Sequence, residues 1–213
     1  VINSNIGENI TDSTSGIVYV LSNPAMPGLV KIGKTARGSV DIRLAELYST
    51  GVPVPFECEF AGKVIDESKV EKAFHLAFGP YRLNPKREFF QIEPEQAIAL
   101  LELLVSEDVT PQLKQEADSV DVDSKAATRK LKSQRPRQNF VEMGMGVGDS
   151  LEFTPLEAVC YVESETTVRF DDEVLSLTAL TKQLLQTERP LRPAPYWLYK
   201  GRKLSDIYDE TYG

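Results

Sequence analysis

Apolar residues run almost unbroken from Ile17 to Leu21 and stop at Ser22-Asn23-Pro24, and a shorter run follows from Leu29 to Ile32. The turn-rich connection from Pro24 to Gly28 makes this pair two antiparallel strands. Asp41 is placed to cap a helix whose Ile42, Ala45 and Leu47 face inward, ended by Gly51-Val52-Pro53. Phe56, Cys58 and Phe60 alternate with Glu57 and Glu59, the period of a strand with one buried face. From Asp66 to Phe78 the spacing of Val70, Phe74, Ala77 and Phe78 predicts a helix, stopped by Gly79-Pro80. Glu88 to Ile92 reads as a short extended piece, and Pro94 opens an apolar helix running through Leu104. The order β-β-α-β-α-β-α gives an α+β domain, a small antiparallel sheet flanked by helices, expected over residues 16–105.

The pattern then breaks down. Residues 106–139 are acidic and sparsely apolar at first, then basic, and are expected to be a charged, flexible linker. It resumes in residues 140–213, expected to form a second small α+β domain: strands at Leu151 to Phe153, Val159 to Val162, Thr167 to Phe170 and Tyr196 to Tyr199. The middle pair reads as a hairpin. Ser176 is expected to cap a helix carrying Leu177, Leu180, Leu184 and Leu185, and Ser205 to cap a terminal one. Residues 1–15, rich in Asn, Ser and Thr, are expected to be a loose N-terminal tail.

Composition narrows the functional classes. A net charge of −8 over 213 residues excludes a protein that coats nucleic acid indiscriminately, because phosphate contacts need clustered cations. The cations do cluster: Lys125, Arg129, Lys130, Lys132, Arg135 and Arg137 follow one another without an acid. No run is long enough to span a membrane and no secretory leader is recognisable, so a cytoplasmic protein without membrane contact is expected. Cys58 and Cys160 match no metal-binding spacing and are expected to be buried, reduced thiols.

Chemistry-bearing residues collect in the first domain. Strand alternation puts Tyr19 on one side of its strand and Lys31 with Gly33 on one side of the next, so Tyr19 and Lys31 are expected to face one cleft. Arg43 lies in the first turn of the helix opened by Asp41, where peptide N–H groups favour an anion and a guanidinium matches a phosphate. Glu71 and His75, the only histidine, are four apart and share a helix face. Lys34 and the cluster Arg82, Lys86 and Arg87 are candidates for binding a nucleic-acid backbone. Glu88 reads as an anchor of that loop rather than a metal ligand.

Gly16-Ile17-Val18-Tyr19 and Val30-Lys31-Ile32-Gly33-Lys34-Thr35, followed by Arg43 and Glu71, resemble the GIY-YIG nuclease superfamily. The stretches Leu21-Ser22-Asn23-Pro24, Met26-Pro27-Gly28, Ser49-Thr50-Gly51-Val52-Pro53 and Arg87-Glu88-Phe89-Phe90 resemble one branch of it, common in phage and bacterial DNA-binding or nuclease proteins. The resemblance implies phosphodiester hydrolysis with one Mg²⁺ or Mn²⁺ held by Glu71 and water. It gives Arg43 the charge growing on the phosphoryl group, and Tyr19 the attacking water. His75 supplies a base or a phosphate contact. Lys31 stands where the motif has its second tyrosine, so it either assists the water or binds phosphate. Arg43 forms one wall of the implied cleft, and Glu71 with His75 the other. Thr167 to Asp172, Ser176 to Leu180, Tyr196 to Tyr199 and Gly201 to Leu204 resemble the small RAMA-type modules of DNA-modification proteins. Trp197 reads as a core anchor there.

Three functions from different classes follow. The first is a DNA endonuclease with a C-terminal part that targets DNA or a protein partner, or forms a dimer contact. The second is a regulator that keeps the fold and binds DNA without cutting. The third is a protein-interaction adaptor, suggested by the acidic composition.

Overall fold

In the computed structural model, residues 15–36, 52–117, 122–133 and 136–213 are described, and the chain divides into two compact units, Val1–Lys132 and Ser133–Gly213. The first unit is built on a five-stranded antiparallel sheet. β1 (Gly16–Ser22) is its central strand, between β2 (Val30–Thr35) and β3 (Glu57–Val64); β4 (Phe89–Phe90) pairs with β2, and β5 (Glu107–Asp108) with β3. That position explains the unbroken apolar run of β1, because a strand covered on both faces has no solvent side for polar residues.

Val18 and Val20 of β1, with Val30 and Ile32 of β2, are buried beneath α1 (Glu67–Ala77) and α2 (Pro94–Glu102), which contribute Phe74, Ala97, Ile98 and Leu101. Ile17, Tyr19 and Leu21 point the other way, into a second cluster with Phe56, Cys58, Ala61, Val109 and Leu113. α1 begins where expected, with Asp66 Oδ1 accepting from Lys69 N at 2.9 Å. The helix expected from Asp41 and the tail over residues 1–14 lie outside the described residues.

The expected linker is corrected at both ends and in its middle. β5 pairs with Gly62 and Lys63, Ala61 N donates to Thr110 Oγ1 at 2.9 Å, and Val109 and Leu113 are buried. Two apolar residues four apart are enough to seat α3 (Thr110–Ala117) on the sheet, and an average over acidic composition hides them. α4 (Val122–Ser133) is rich in Ala, Lys, Arg and Leu, strong helix formers whose intrinsic preference favours a helix over a loose linker. At the far end, Pro136 O accepts from the Tyr208 hydroxyl and Phe140 enters the second core, so the second unit starts earlier than residue 140.

That unit holds a six-stranded antiparallel sheet in the order β11-β10-β6-β7-β8-β9, with β6 (Ser150–Phe153), β7 (Ala158–Val162), β8 (Thr167–Phe170), β9 (Glu173–Ser176), β10 (Trp197–Tyr199) and β11 (Arg202–Lys203). The β7–β8 hairpin matches the sequence reading. β9 was not anticipated, because Glu173-Val174-Leu175-Ser176 carries two adjacent apolar residues rather than an alternating pattern. α5 (Leu177–Leu185) is capped as expected, Ser176 Oγ accepting from Ala179 N at 3.1 Å. α6 (Leu204–Tyr212) instead starts directly after Lys203, because Leu204 is fully buried; Ser205 is not its cap. Among the described residues, no helix is long and apolar enough to cross a membrane.

Cys58 and Cys160 are free and buried, and desolvation pushes each thiol from 9.0 up to about 12. Native protein is therefore expected to leave both unmodified by a thiol reagent at pH 8, with both reacting in denaturant; rapid labelling of the native chain would contradict this burial. The same shifts have a consequence for stability. Below pH 9 both states keep the thiol protons, whereas between about 9 and 12 the unfolded chain releases them and the folded one does not, so stability falls as pH rises through that window.

Candidate functional site

Glu67, Glu71 and His75 recur every four residues along α1 and so share one flank of the helix. Glu67 lies against the start of β1, where a Cβ at Gly16 would stand 2.5 Å from its Cγ; a side chain there would force it away. Glu71, with a side chain only 14% exposed, places Oε2 3.3 Å from Lys34 Nζ, and Lys34 also donates to Ser68 Oγ at 2.7 Å. His75 Nε2–H donates to the Ile32 carbonyl at 3.2 Å. A carbonyl can only accept, so Nε2 carries a proton in this contact.

The next residues extend this seam. The His75 ring lies 5.2 Å from the centroid of Phe90, and the Arg82 guanidinium lies 5.6 Å from the same ring. Arg82 Nε donates to Arg87 O at 2.7 Å, while Asn84 accepts from Lys86 N through Oδ1 and from Arg87 N through its carbonyl, both at 2.9 Å. These bonds hold a tight loop whose Lys86 and Arg87 are exposed. A carboxylate, an imidazole and a cationic loop thus follow one another along the contact of α1 with β2 and β4.

The single cleft expected for all these residues is corrected. Because α1 packs on Val18, Val20, Val30 and Ile32, alternation puts Lys34 on its face and Tyr19, Lys31 and Gly33 on the opposite one. Tyr19 is 1% exposed and lies over β2 at Gly33, where a Cβ would stand 2.7 Å from its Cε2 and Oη. Lys31 is 5% exposed, paired with Glu88 Oε2 at 2.5 Å and 5.6 Å from the centroid of the Phe89 ring. Glu88 anchors the loop through this pair. Both faces meet the strand at Ile32-Gly33-Lys34, and among the described residues no strand pairs with the outer edge of Gly33 to Thr35, since β4 reaches only Val30 and Lys31.

Arg43 lies outside the described residues. Ser68, which holds the Lys34 ammonium, was missed; its only signal in the sequence is its position three residues before Glu71, on the same side of the helix. The donor set around Glu71 determines which metal could bind there. Among the described residues, no group of three or more His, Cys, Asp or Glu could cage an ion. A single carboxylate suits only a hard cation that keeps most of its water, as Mg²⁺ and Mn²⁺ do, and the Lys34 ammonium beside it would have to give way.

Residues 16–105, less than half of the chain, match the family model of the T5orf172 domain. No curated protein and no solved structure matches the chain.

Proposed function

We propose that the first unit is a metal-dependent DNA endonuclease of GIY-YIG type and that the second unit targets it to DNA or to a protein partner. The observation that carries this reading is the Glu71 carboxylate, largely withdrawn from water, with a cation 3.3 Å away and the Arg82 to Arg87 loop further along the same seam. The T5orf172 match over residues 16–105 is in keeping with a nuclease or DNA-binding role.

Hydrolysis of a phosphodiester needs positive charge around the phosphate, stabilisation of the departing oxygen and a group to position or deprotonate water. Glu71 is the residue that would hold Mg²⁺ or Mn²⁺, which when bound supplies Lewis-acid stabilisation to the departing oxygen. Lys34, Arg82, Lys86 and Arg87 neutralise phosphates, and Arg43 is assigned to the reacting one. His75 is assigned a base or a phosphate contact through Nδ1, since Nε2 is engaged with the Ile32 carbonyl. Tyr19 and Lys31 lie on the opposite face of the sheet and are given no contact with the phosphate in this reading; at Gly33 the missing side chain leaves room for the Tyr19 ring.

Incubating the full chain with single-stranded, duplex and branched DNA is expected to give cleavage of at least one substrate in Mg²⁺ or Mn²⁺, and none in excess chelator. The burial of Tyr19 and the pairing of Lys31 with Glu88 favour a second reading, DNA binding without cutting. Metal-independent binding with every substrate left intact in both metals would establish that reading instead. Replacing both Lys86 and Arg87 with alanine is expected to weaken DNA binding about tenfold at low salt and to shrink the slope of log K against log salt by about 2. An unchanged slope would remove this loop from the interface.

A further inference from the structure

We infer that Lys34 is a tethered cation which occupies the Glu71 carboxylate until a divalent ion displaces it, so that ion binding releases the lysine for a DNA phosphate. This inference rests on the reading of Glu71 as the metal ligand. Lys34 Nζ sits 3.3 Å from Glu71 Oε2 and is held there by Ser68 Oγ at 2.7 Å. Ser68 Oγ in turn lies 3.5 Å from Glu67 Oε1, so the ammonium is at the centre of a short polar chain between the two carboxylates of the α1 row.

A divalent ion and an ammonium repel one another steeply at such separations, most of all beside a carboxylate only 14% exposed, where little water screens them. One of the two must leave, and only the lysine has a flexible stem leading to solvent. Its side chain is already 34% exposed. Displacement leaves the ammonium with water or a phosphate as its partner, so ion binding and phosphate binding favour each other.

The inference fixes a sign that a purely structural role for Lys34 does not share. A lysine that only holds the Glu71 rotamer weakens the ion when removed. A placeholder strengthens ion binding when removed. Mn²⁺ titration of the full chain without DNA, read by electron paramagnetic resonance, separates these cases, with circular dichroism melts checking that each variant folds. Lys34→Gln is expected to lower the Mn²⁺ dissociation constant about three- to tenfold, Lys34→Arg to leave it near the parent value, and Glu71→Gln to abolish the site. Lys34→Met serves as a second neutral variant. Loss of the site in Glu71→Gln, with Lys34→Gln and Lys34→Met binding Mn²⁺ no more tightly than the parent, overturns the placeholder while leaving Glu71 as ligand. Parent-like Mn²⁺ binding by Glu71→Gln overturns the metal assignment, and this inference with it.

Discussion

Replacing Glu71 with alanine is expected to lower the rate of DNA cleavage about a thousandfold in either Mg²⁺ or Mn²⁺, because it removes the carboxylate that fixes the ion against the departing oxygen. The fold should survive the change. Glu71 contacts Lys34 from the rim of the helix rather than from within either apolar cluster, and the lysine left behind retains Ser68 Oγ at 2.7 Å and access to water. A partly exposed ion pair of this kind contributes at most about 1 kcal/mol to stability. DNA binding is expected to weaken far less than cleavage, since the cations at Lys34, Arg82, Lys86 and Arg87 remain. Single-turnover assays on the substrate cut by the parent, alongside binding in chelator, measure the two quantities separately. Undiminished cutting by Glu71→Ala would take the ion away from this residue, and equal loss of binding and cutting would point to a structural role.

Trp197→Ala is expected to be the most damaging single substitution in the second unit, costing about 3–5 kcal/mol. Trp197 is fully buried, its ring centroid lies 5.0 Å from that of Phe153, and its Nε1–H donates to Thr181 Oγ1 at 2.8 Å. Truncation leaves a large cavity, and Thr181 loses the only donor to its hydroxyl oxygen that the structure records, although that hydroxyl still donates to Leu177 O at 2.7 Å. Trp197→Phe keeps most of the volume and is expected to cost about half as much. The damage should stay local, because every residue of this core lies between Phe140 and Ile207 and none belongs to the two clusters of the first unit. Hydrogen exchange read by mass spectrometry is expected to show lost protection in β6, β7, β8 and β10 with β1, β2 and β3 unchanged. Simultaneous loss in both sheets would mean that the units do not hold their structure separately.

Several elements were legible before any coordinates because their signals are local. α1 begins at the Asp66 boundary that the apolar spacing indicates, and Ser176 caps α5 at the position that its side-chain chemistry indicates. The β7–β8 hairpin follows from two alternating runs separated by polar residues. Where the reading failed, the missing information was not local. Val109 and Leu113 look like stray apolar residues in an acidic stretch until β3 presents a surface for them. β9 shows no alternation of apolar and polar residues, and its pairing with β8 makes it a strand. α4 misled in the opposite way, since charge suggested no structure where intrinsic helix preference prevailed.

The candidate site divides along the same line. The sequence by itself determined that Glu71 and His75 share a helix face, that Tyr19 lies on the side of β1 opposite Val18 and Val20, and that Gly33 leaves space on β2, because backbone periodicity is set residue by residue. Only the tertiary structure decided that α1 covers the Val18 and Val20 side. That choice gave Glu71 the ammonium of Lys34 instead of Lys31, turned Lys31 towards Glu88, and left Tyr19 to approach the strand from the other face. Periodicity assigns side chains to two faces without saying which face a helix will bury, and the packing of Phe74 against Val18, Val20, Val30 and Ile32 makes that assignment.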